Sequence, residues 1–587
     1  MTALTGRLSA APSTLLDTEV LRPQFEHEVR RLLPHYVAVE RVLALEYRRM
    51  GLLTADQAED VLGLLARVRA EELAADPEAN LSDIAFALER HVERGAARPV
   101  PNWHVDRSRN DLQACAQLMA ARDRLAGLAG QVLGMAAAAR RVAARHLDTP
   151  MPGCTHYQAA QVTTPGFHLA ALGERLLHTS RRLLATFDGT DACPLGAGAL
   201  TGQHLPWDRE RMAALLGFTR PGGSALTDVA SRAFVAEITA ELSLFGITAS
   251  RFATDLITWA GAGHGFVDLP DELSGISSAM PQKKNFPVLE RIRGRTAHLT
   301  SCHVDVALAQ RGTPYTNLVE VSKEAGAQFH DALDTASSVV RLFTAVLDGL
   351  VFRADRMRAA CEREYLGGFA LATLLTLRAG VPWRRAQVLA GRYVVAALER
   401  GLPPTRPDGD LLAAVAEADG VTAPSPGDLL AEAFDVDASL RATRTTGSAH
   451  PDEVAAQLRA QEGEHAELER LWAPRRARLA RALGAGVLDA GMLAAEGQDT
   501  GTVGAGAQDA GALDAGMPDT GTLAAEGQDT GMPDTGMPDT GAPGVETVAA
   551  GTVAAGTVAA ETPDTGALAA GALAAKTPDT GLRESRA

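Results

Sequence analysis

The chain has 587 residues and a formal net charge of −16, with 56 Lys and Arg against 72 Asp and Glu. Nucleic-acid binding needs clustered positive charge that displaces counterions from phosphates, so these scattered and outnumbered basic residues argue against a nucleic-acid partner. Hydrophobic residues make up 46% of the chain and aromatic residues only 4%. A composition rich in Ala and Leu favours an all-α fold over a β-sandwich or barrel.

The five cysteines lie far apart, with neither CxxC spacing nor a Cys/His cluster, so the sequence predicts no disulfide framework and no zinc site. The N-terminus lacks the apolar core of a secretory signal. No later apolar run approaches the ~18 residues that indicate a membrane span. We therefore expect a cytoplasmic protein without a membrane partner.

The predicted elements before the tail are helices. Apolar residues recur at helical spacing from Leu112 through Leu128, which predicts a helix with one buried stripe. From Phe234 to Ala260 the apolar residues cover more than one stripe, which favours a position in the centre of a helical bundle. Glycine and proline interrupt the pattern near residues 149–154, 194–202, 220–224 and 263–281, and shorter helices follow residue 349. We predict helical domains at 1–104, 105–349 and 350–484.

Residues 485–587 form a low-complexity tail of Ala, Gly, Thr, Pro and Asp. MPDTG begins at Met517, Met532 and Met537, but these repeats are far shorter than the ~20–50 residues of a solenoid unit. Few large apolar side chains are available to offset the entropy of ordering the backbone, so we predict disorder. The alternative is an arm that binds a partner or spaces domains, although it has no aromatic or basic anchors.

The first polar cluster is HVDRSRNDLQ, in which Ser108, Arg109 and Asn110 directly precede a predicted helix. Hydroxyl, guanidinium and amide donors at a helix start suit a carboxylate, because free backbone N–H groups and the macrodipole add positive potential there. The alternative is an ordinary helix cap with a surface salt bridge.

The second cluster, MPGCTHYQAAQ, places Thr155 and His156 after a Pro-Gly break. A histidine beside a turn can exchange a proton near neutral pH, but it can equally be a hydrogen-bonded structural residue.

The third cluster is SGISSAMPQKKNFPVLERIRG. A Gly/Ser loop of this kind can close over a substrate, while Lys283 stabilises negative charge and Asn285 donates hydrogen bonds. A basic surface turn is the alternative interpretation. The chain contains neither the GxxxxGK[ST] phosphate loop nor the GxSxG elbow of hydrolases.

Together the clusters resemble the fumarase/aspartase superfamily, and most closely its argininosuccinate lyase branch. HVDRSRND is similar to that branch's HTGRSRND, MPGCTHYQAAQ to MPGYTHLQRAQ, and GISSAMPQKKN to the superfamily's GSSxMPxKxN. The resemblance extends over roughly residues 20–480. It implies a three-domain, all-α homotetramer with a central bundle of long helices and active sites built from three subunits. It implies a small N-succinyl substrate, β-elimination to fumarate, and no cofactor.

The resemblance also implies roles for single residues. Ser277 would take a proton from the succinyl carbon, and Lys283 with Asn285 would stabilise the aci-carboxylate that results. His156 would protonate or orient the leaving side, with Glu290 as its carboxylate partner. Other residues would hold the substrate carboxylates or contact the amine portion: Ser108, Arg109, Asn110, Thr155, Tyr315, Glu320 and Lys323.

The chain departs from the branch's pattern mainly where the amine is recognised. The N-terminal serine and aspartate of the branch fall on Phe25 and Val29, and Glu320 replaces a glutamine. Thr-Gly becomes Val105-Asp106 in the first motif, and Gly275-Ile276 in the serine loop. Three hypotheses follow: argininosuccinate cleavage, the same chemistry on another N-succinyl amine, or a non-catalytic helical tetramer whose tail is the working part.

Overall fold

The computed structural model describes residues 7, 8 and 10–483. These residues form α-helices together with three small antiparallel two-stranded sheets, so the prediction of an all-α fold is confirmed. The predicted disorder after residue 484 lies outside the described residues.

The N-terminal part packs its helices around one long helix, α2, whose buried face runs from Phe25 to Tyr47. The next helix begins where Thr54 and Gln57 form a capping box, because each side chain accepts the other's backbone N–H. The bounds are α1 (Thr14–Leu16), a π-helical turn (Asp17–Leu21), α2 (Arg22–Arg49), α3 (Ala55–Arg67), a 3-10 turn (Ala70–Glu72) and α4 (Ile84–Gly95).

The central part contains the long helices and the small sheets. Its helices are α5 (Arg109–Ala144), α6 (Pro165–Gly189), α7 (Arg209–Leu215), α8 (Ala225–Ala230), α9 (Ala233–Ala260), α10 (Pro287–Gln310), a π-helical turn (Glu320–Glu324) and α11 (Phe329–Gly349). Its strands pair as β1 (Met151–Thr155) with β2 (Gln158–Thr163), β3 (Val267–Asp268) with β6 (Val351–Phe352), and β4 (Gly275–Ile276) with β5 (Lys284–Asn285).

Both helices predicted from periodicity are present. The segment from Leu112 to Leu128 lies within α5, and the broad apolar segment forms α9, which packs against α5, α6, α10 and α11. Among the described residues, α9 is also the one helix long and apolar enough to cross a membrane by length and composition, which the sequence analysis did not expect. Ile238, Leu242 and Phe245 on α9 are buried in the main hydrophobic core.

The C-terminal helices form a smaller core of their own and then return to the bundle. They are α12 (Ala354–Arg363), α13 (Gly368–Ala379), α14 (Trp383–Glu399), α15 (Gly409–Ala418), α16 (Pro426–Phe434), α17 (Val436–Ala442) and α18 (Pro451–Leu483). Helices α13 to α16 share a hydrophobic cluster, whereas α18 packs along α5 and α6. The last helix of the chain's described part thus belongs to the bundle core. The domain boundaries expected after residues 104 and 349 stay predictions.

A buried guanidinium ties α18 to the bundle. Arg122 on α5 is fully buried, bonds to the Asp191 carboxylate at 2.5 Å, and lies between the rings of Phe187 and Phe218. Arg478 on α18 reaches the same carboxylate at 2.8 Å. Burial lowers the pKa of Arg122 to about 10, and Asp191 opposes this effect. The free energy of unfolding therefore depends on this shared carboxylate.

Replacing Asp191 by Ala should lower the free energy of unfolding by about 3–5 kcal/mol, because it leaves the Arg122 guanidinium buried without its counter-ion. Urea denaturation followed by circular dichroism measures the change. Asp56→Ala is the matched control: Asp56 pairs with Arg98 at 3.4 Å on the surface, and its loss should cost less than about 1 kcal/mol. Equal denaturation midpoints for Asp191→Ala and the unmodified chain would contradict this role.

Candidate active site

The first motif forms the N-terminus of α5. The Ser108 hydroxyl caps the helix by accepting the Asn110 backbone N–H at 3.2 Å, and the Asn110 amide donates to the Ala199 carbonyl at 3.0 Å. The sequence left capping and substrate binding open, and the structure shows that Ser108 does cap the helix. The remaining free N–H groups of the first turn still provide positive potential for an anion.

Arg109 is held beside this helix start by two contacts from α4. Its guanidinium pairs with the Asp83 carboxylate at 2.8 Å and lies 4.8 Å from the centre of the Phe86 ring. Asp83 also caps α4 by accepting the Ala85 N–H. The guanidinium is more than half exposed, so its direction is fixed while it stays accessible to a ligand.

Asp106, which stands in place of the branch's glycine, supports the loop that follows α6. It keeps a left-handed φ of 57°, the conformation that a glycine favours. Its Oδ2 accepts hydrogen bonds from the His204 and Leu205 N–H groups and from the Trp207 indole at 2.8–3.0 Å. Burial raises the pKa of Asp106, but these bonds outweigh burial and lower it overall. The Asp106 carboxylate therefore anchors the loop of residues 204–207.

The second motif forms a tight hairpin, with Thr155 at the end of β1. His156 and Tyr157 are the two turn residues, with φ values of 51° and 62°. Positive φ at both positions is the requirement of a type I′ turn, which usually selects Asn or Gly. The turn leaves Thr155, His156 and Tyr157 exposed, and no hydrogen bond in the described part of the chain involves the His156 imidazole. Whether His156 exchanges a proton or is a structural residue therefore stays a prediction.

The serine loop is a second hairpin, closed by β4 and β5. The Ser277 hydroxyl accepts the Met280 N–H at 3.1 Å, and the Asn285 amide donates to the Ile276 carbonyl at 3.3 Å. Lys283 is exposed, and its backbone N–H bonds to the Met280 carbonyl at 3.0 Å. The hairpin thus presents the serine hydroxyl, the lysine ammonium and the asparagine amide on one short segment.

Packing against Pro287 favours a glycine at position 275 of this loop. A Cβ on Gly275 would approach the Pro287 ring to 3.1 Å, so a larger residue would push β4 away from the start of α10. Ile276 is 91% exposed and points away from the chain's own core. Glu290, the expected partner of His156, lies exposed in the first turn of α10.

Lys284 fastens the base of the serine hairpin. Its ammonium donates to the Leu269 carbonyl at 2.6 Å and pairs with the carboxylates of Asp271 at 2.9 Å and Asp268 at 3.2 Å. The pKa of Lys284 is raised, chiefly by the hydrogen bond to Asp271. A tetrahedral ammonium can direct its three N–H groups at three acceptors, which a planar guanidinium cannot reproduce.

Lysine is rare in this chain. Only four of its 56 Lys and Arg residues are lysines, and Lys283, Lys284 and Lys323 all lie in the site motifs. Elsewhere the chain uses arginine for its ion pairs, as at Arg353, which pairs with Asp268 at 2.5 Å. Lysine and arginine differ chemically, because the ammonium is a compact, strongly hydrated charge and the guanidinium is planar.

The residues that the resemblance predicts to contact the amine lie in and before a π-helical turn. Tyr315 is 61% exposed, and Glu320 is an exposed residue at the beginning of the turn. Lys323 on the same turn pairs with Glu28 of α2, and Glu28 also accepts a hydrogen bond at 3.3 Å from Gln113 of α5. Lys323 is thus joined to the helix that begins with the first motif.

Glu28 is a candidate site residue that the sequence analysis missed. The resemblance places Phe25 and Val29 at the N-terminal recognition positions of the branch. Glu28 directly precedes Val29. Burial raises the pKa of Glu28, and Lys323 opposes that effect. A usable signal is its position between the apolar residues Phe25 and Leu32, because a carboxylate that is buried without a partner is costly.

Within one chain the three motifs stay apart. No hydrogen bond or ion pair among residues 7, 8 and 10–483 joins the segments of Arg109, His156 and Ser277. The described residues also contain no group of three or more His, Cys, Asp or Glu side chains that could hold a metal ion. The chain therefore presents three separate parts of a site.

Comparison with known proteins gives consistent matches. The family described as "Lyase" matches residues 37–299. Argininosuccinate lyase from Moorella thermoacetica is 34% identical over 367 residues, which cover 62% of this chain and 78% of the relative. Argininosuccinate lyase from Halorhodospira halophila is 31% identical over 463 residues, which cover 78% of this chain and 96% of the relative.

Solved structures share the fold. An EDDS lyase in complex with formate superposes with a TM-score of 0.73 at 24% identity, covering 84% of this chain and 98% of that one. A class II fumarase from Schistosoma mansoni gives a TM-score of 0.59 at 12% identity, covering 71% and 94%. The fold is therefore that of the fumarase/aspartase-type lyases. The chain belongs to the argininosuccinate lyase branch of this superfamily and is a carbon–nitrogen lyase of that type.

Lys284→Arg should lower the turnover number of the lyase reaction while changing KM much less, because a guanidinium cannot hold all three acceptors and the serine hairpin shifts. A displacement of about 1 Å at a reacting group can cost up to about 100-fold in rate. Steady-state kinetics with Lys284→Arg and Lys284→Met measure the effect. Arg378→Lys, in an exposed pair with Glu432 at 2.7 Å, is the control. Wild-type turnover in Lys284→Arg would contradict the positioning role.

Proposed function

We propose that this protein cleaves argininosuccinate by β-elimination, releasing fumarate and arginine. The observation that carries the proposal is the serine hairpin, which presents Ser277, Lys283 and Asn285 together. Membership of the argininosuccinate lyase branch supports the same chemistry. The family membership also counts against the non-catalytic alternative.

Ser277 acts in this proposal as the base that removes a proton from the succinyl carbon. A serine hydroxyl is a poor base in water, so the reaction requires a closed loop and nearby positive charge. Lys283 supplies that charge, and Asn285 donates hydrogen bonds to the aci-carboxylate that forms. His156 with Glu290 protonates or orients the leaving nitrogen. The elimination uses these fixed side chains alone.

The substrate carboxylates bind at the α5 N-terminus and at the hairpin of the second motif. Ser108, Arg109 and Asn110 offer hydroxyl, guanidinium and amide donors at the start of α5, and Thr155 adds a hydroxyl at the end of β1. The pairing of Arg109 with Asp83 holds the guanidinium in one direction before substrate arrives. Tyr315, Glu320 and Lys323 contact the amine portion.

A complete site then needs several chains, and we propose a homotetramer. Apolar side chains that a single chain leaves exposed lie on the long central helices: Leu244 and Ile247 on α9, and Val304 and Leu308 on α10. Burying such stripes against identical helices would bring motifs from different chains together and explain why α9 is so apolar. We place this assembly in the cytoplasm.

A second candidate substrate is another N-succinyl amine cleaved by the same chemistry. Glu320 motivates it, because an ionised acceptor replaces a neutral amide at the amine side. Asp106 does not motivate this second candidate, because its carboxylate accepts hydrogen bonds from the loop of residues 204–207.

Fumarate release should be measured with argininosuccinate, adenylosuccinate, aspartate and malate offered separately to the purified chain. Turnover of argininosuccinate is expected, and Ser277→Ala should reduce it by about 100- to 10,000-fold, the range for loss of a general base. Ser278→Ala, at the adjacent exposed serine, is the matched control and should keep near-normal activity.

Near-normal turnover by Ser277→Ala would refute the proposed base. Failure to release fumarate from argininosuccinate, with release from another N-succinyl amine, would favour the second candidate. Light scattering of the same preparations tests the tetramer.

A further inference from the structure

The carboxylate of Asp106 fastens the loop between α6 and α7 to the first motif. Its Oδ2 accepts the His204 and Leu205 N–H groups and the Trp207 indole N–H at 2.8–3.0 Å. The backbone carbonyl of Asp106 also accepts a hydrogen bond, from the Gln203 amide at 2.5 Å. Four donors from one short loop segment therefore meet a single residue that stands two positions before the α5 N-cap.

A second carboxylate fastens the other end of the same loop. Asp111, in the first turn of α5, accepts the Gly196 and Gly198 N–H groups at 3.0 Å. Between these two anchors the Asn110 amide donates to the Ala199 carbonyl at 3.0 Å. This bond uses one of the two amide N–H groups and leaves the other for a ligand. The loop therefore sets the direction in which Asn110 points its remaining donor.

Aromatic contacts close the surroundings of Asp106 into a ring. The Tyr47 hydroxyl on α2 donates to the Val105 carbonyl at 2.7 Å. The Tyr47 ring meets the Trp207 ring edge-on, with centroids 5.1 Å apart. Trp207 in turn donates its indole N–H to the Asp106 carboxylate. Positions 105 and 106 are therefore held by α2 on one side and by the loop on the other.

The backbone before the helix start is strained. His104 and Asp106 have left-handed φ values of 76° and 57°. Residues with a side chain rarely adopt this conformation, and it persists only where surrounding contacts hold it. A glycine at position 106 would adopt it readily but would have no carboxylate for the loop. The hydrogen bonds of Asp106 therefore maintain the geometry that leads into Ser108.

The Asp106 anchor is charged near neutral pH. Burial raises the pKa of Asp106, but the hydrogen bonds from residues 204–207 lower it overall, so the side chain is ionised at pH 7. An ionised acceptor binds N–H groups more strongly than a neutral amide oxygen does. The aspartate is therefore a firmer anchor than an asparagine, which fits the same left-handed backbone and offers one neutral acceptor.

We propose that Asp106 is a positioning residue for the substrate carboxylate: by holding the loop against α5, it fixes the direction of the Asn110 amide. This inference deepens the proposed function and rests on it, because that function places a succinyl carboxylate at Ser108, Arg109 and Asn110. Asp106 itself neither touches the substrate nor moves a proton. Its loss therefore acts on affinity for the carboxylate and not on the elimination step.

Binding of two dicarboxylates tests the proposal. Calorimetry of the full chain with fumarate and with succinate measures the dissociation constants without turnover. Asp106→Gly should raise both constants by at least about tenfold, the effect of losing one charge-assisted hydrogen bond. Asp106→Asn should restore part of the affinity, because it keeps the backbone conformation and one acceptor.

Two further variants keep the test decisive. Asp408→Gly is the matched control: Asp408 accepts the Leu411 N–H at 3.1 Å as the cap of α15, and its loss should leave both dissociation constants unchanged. Trp207→Phe removes one donor while keeping a ring against Tyr47. It should weaken binding about fivefold, the typical effect of one hydrogen bond, and it tests the inference even if Asp106→Gly does not fold.

Hydrogen exchange of residues 203–207 separates positioning from stability. Exchange should be faster in Asp106→Gly, and the affinity should fall with it. Faster exchange with unchanged affinity would show a structural role alone and would overturn the inference. Unchanged affinity in folded Trp207→Phe, equal weakening in Asp408→Gly, or no dicarboxylate binding to the unmodified chain would overturn it as well.

Fumarate release from N-succinyl amines is scored separately. Release by the unmodified chain, together with unchanged dicarboxylate affinity in Asp106→Gly, contradicts this inference alone. The expected loss of affinity in Asp106→Gly, without release from any N-succinyl amine by the unmodified chain, contradicts the proposed function alone.

Discussion

The fixed position of the first turn of α5 is the constraint on which the rest of the site depends. Asp111 in that turn is buried, and its carboxylate accepts the N–H groups of Gly196 and Gly198 at 3.0 Å. Burial raises the pKa of Asp111 to about 6, against the effect of these bonds. The carboxylate holds the loop after α6 against the helix start, and that loop in turn supplies the Ala199 carbonyl that orients Asn110.

Helix α5 also contacts several other elements along its length, in addition to carrying the first motif at its N-terminus. Its half-buried amides, Gln113 and Gln117, bond to groups from α2, from the N-cap of α9 and from the turn of residues 320–324. Farther along, Arg122 ties it to Asp191 and, through Arg478, to the C-terminal helix. The long helix therefore fixes the positions of the first motif, the turn of residues 320–324 and the C-terminal helix relative to one another.

Residues at or beside the departures from the family pattern make specific local contacts in this chain. Asp106 replaces a glycine, yet it keeps the left-handed backbone and offsets its strain with three hydrogen bonds to residues 204–207. Phe25 and Val29 replace polar residues, yet Glu28 between them reaches Lys323. The serine loop moves its glycine to position 275, where the Pro287 ring leaves little room for a side chain. Each of these positions thus takes part in a local contact of this chain.

The sequence by itself determined the helical class, the first half of α5, nearly all of α9 and the three motif segments, because helix periodicity and short motifs are local properties of the chain. It also placed Ser108 at a helix start and Ser277 in a loop. Only the tertiary structure decided that Glu28 pairs with Lys323, that the Asp106 carboxylate anchors a loop, and that the Arg232 Nη2 has no hydrogen-bond partner among the described residues. These contacts join residues that are distant in sequence, and whether a buried charge is paired depends on which helices pack together, which no local pattern records.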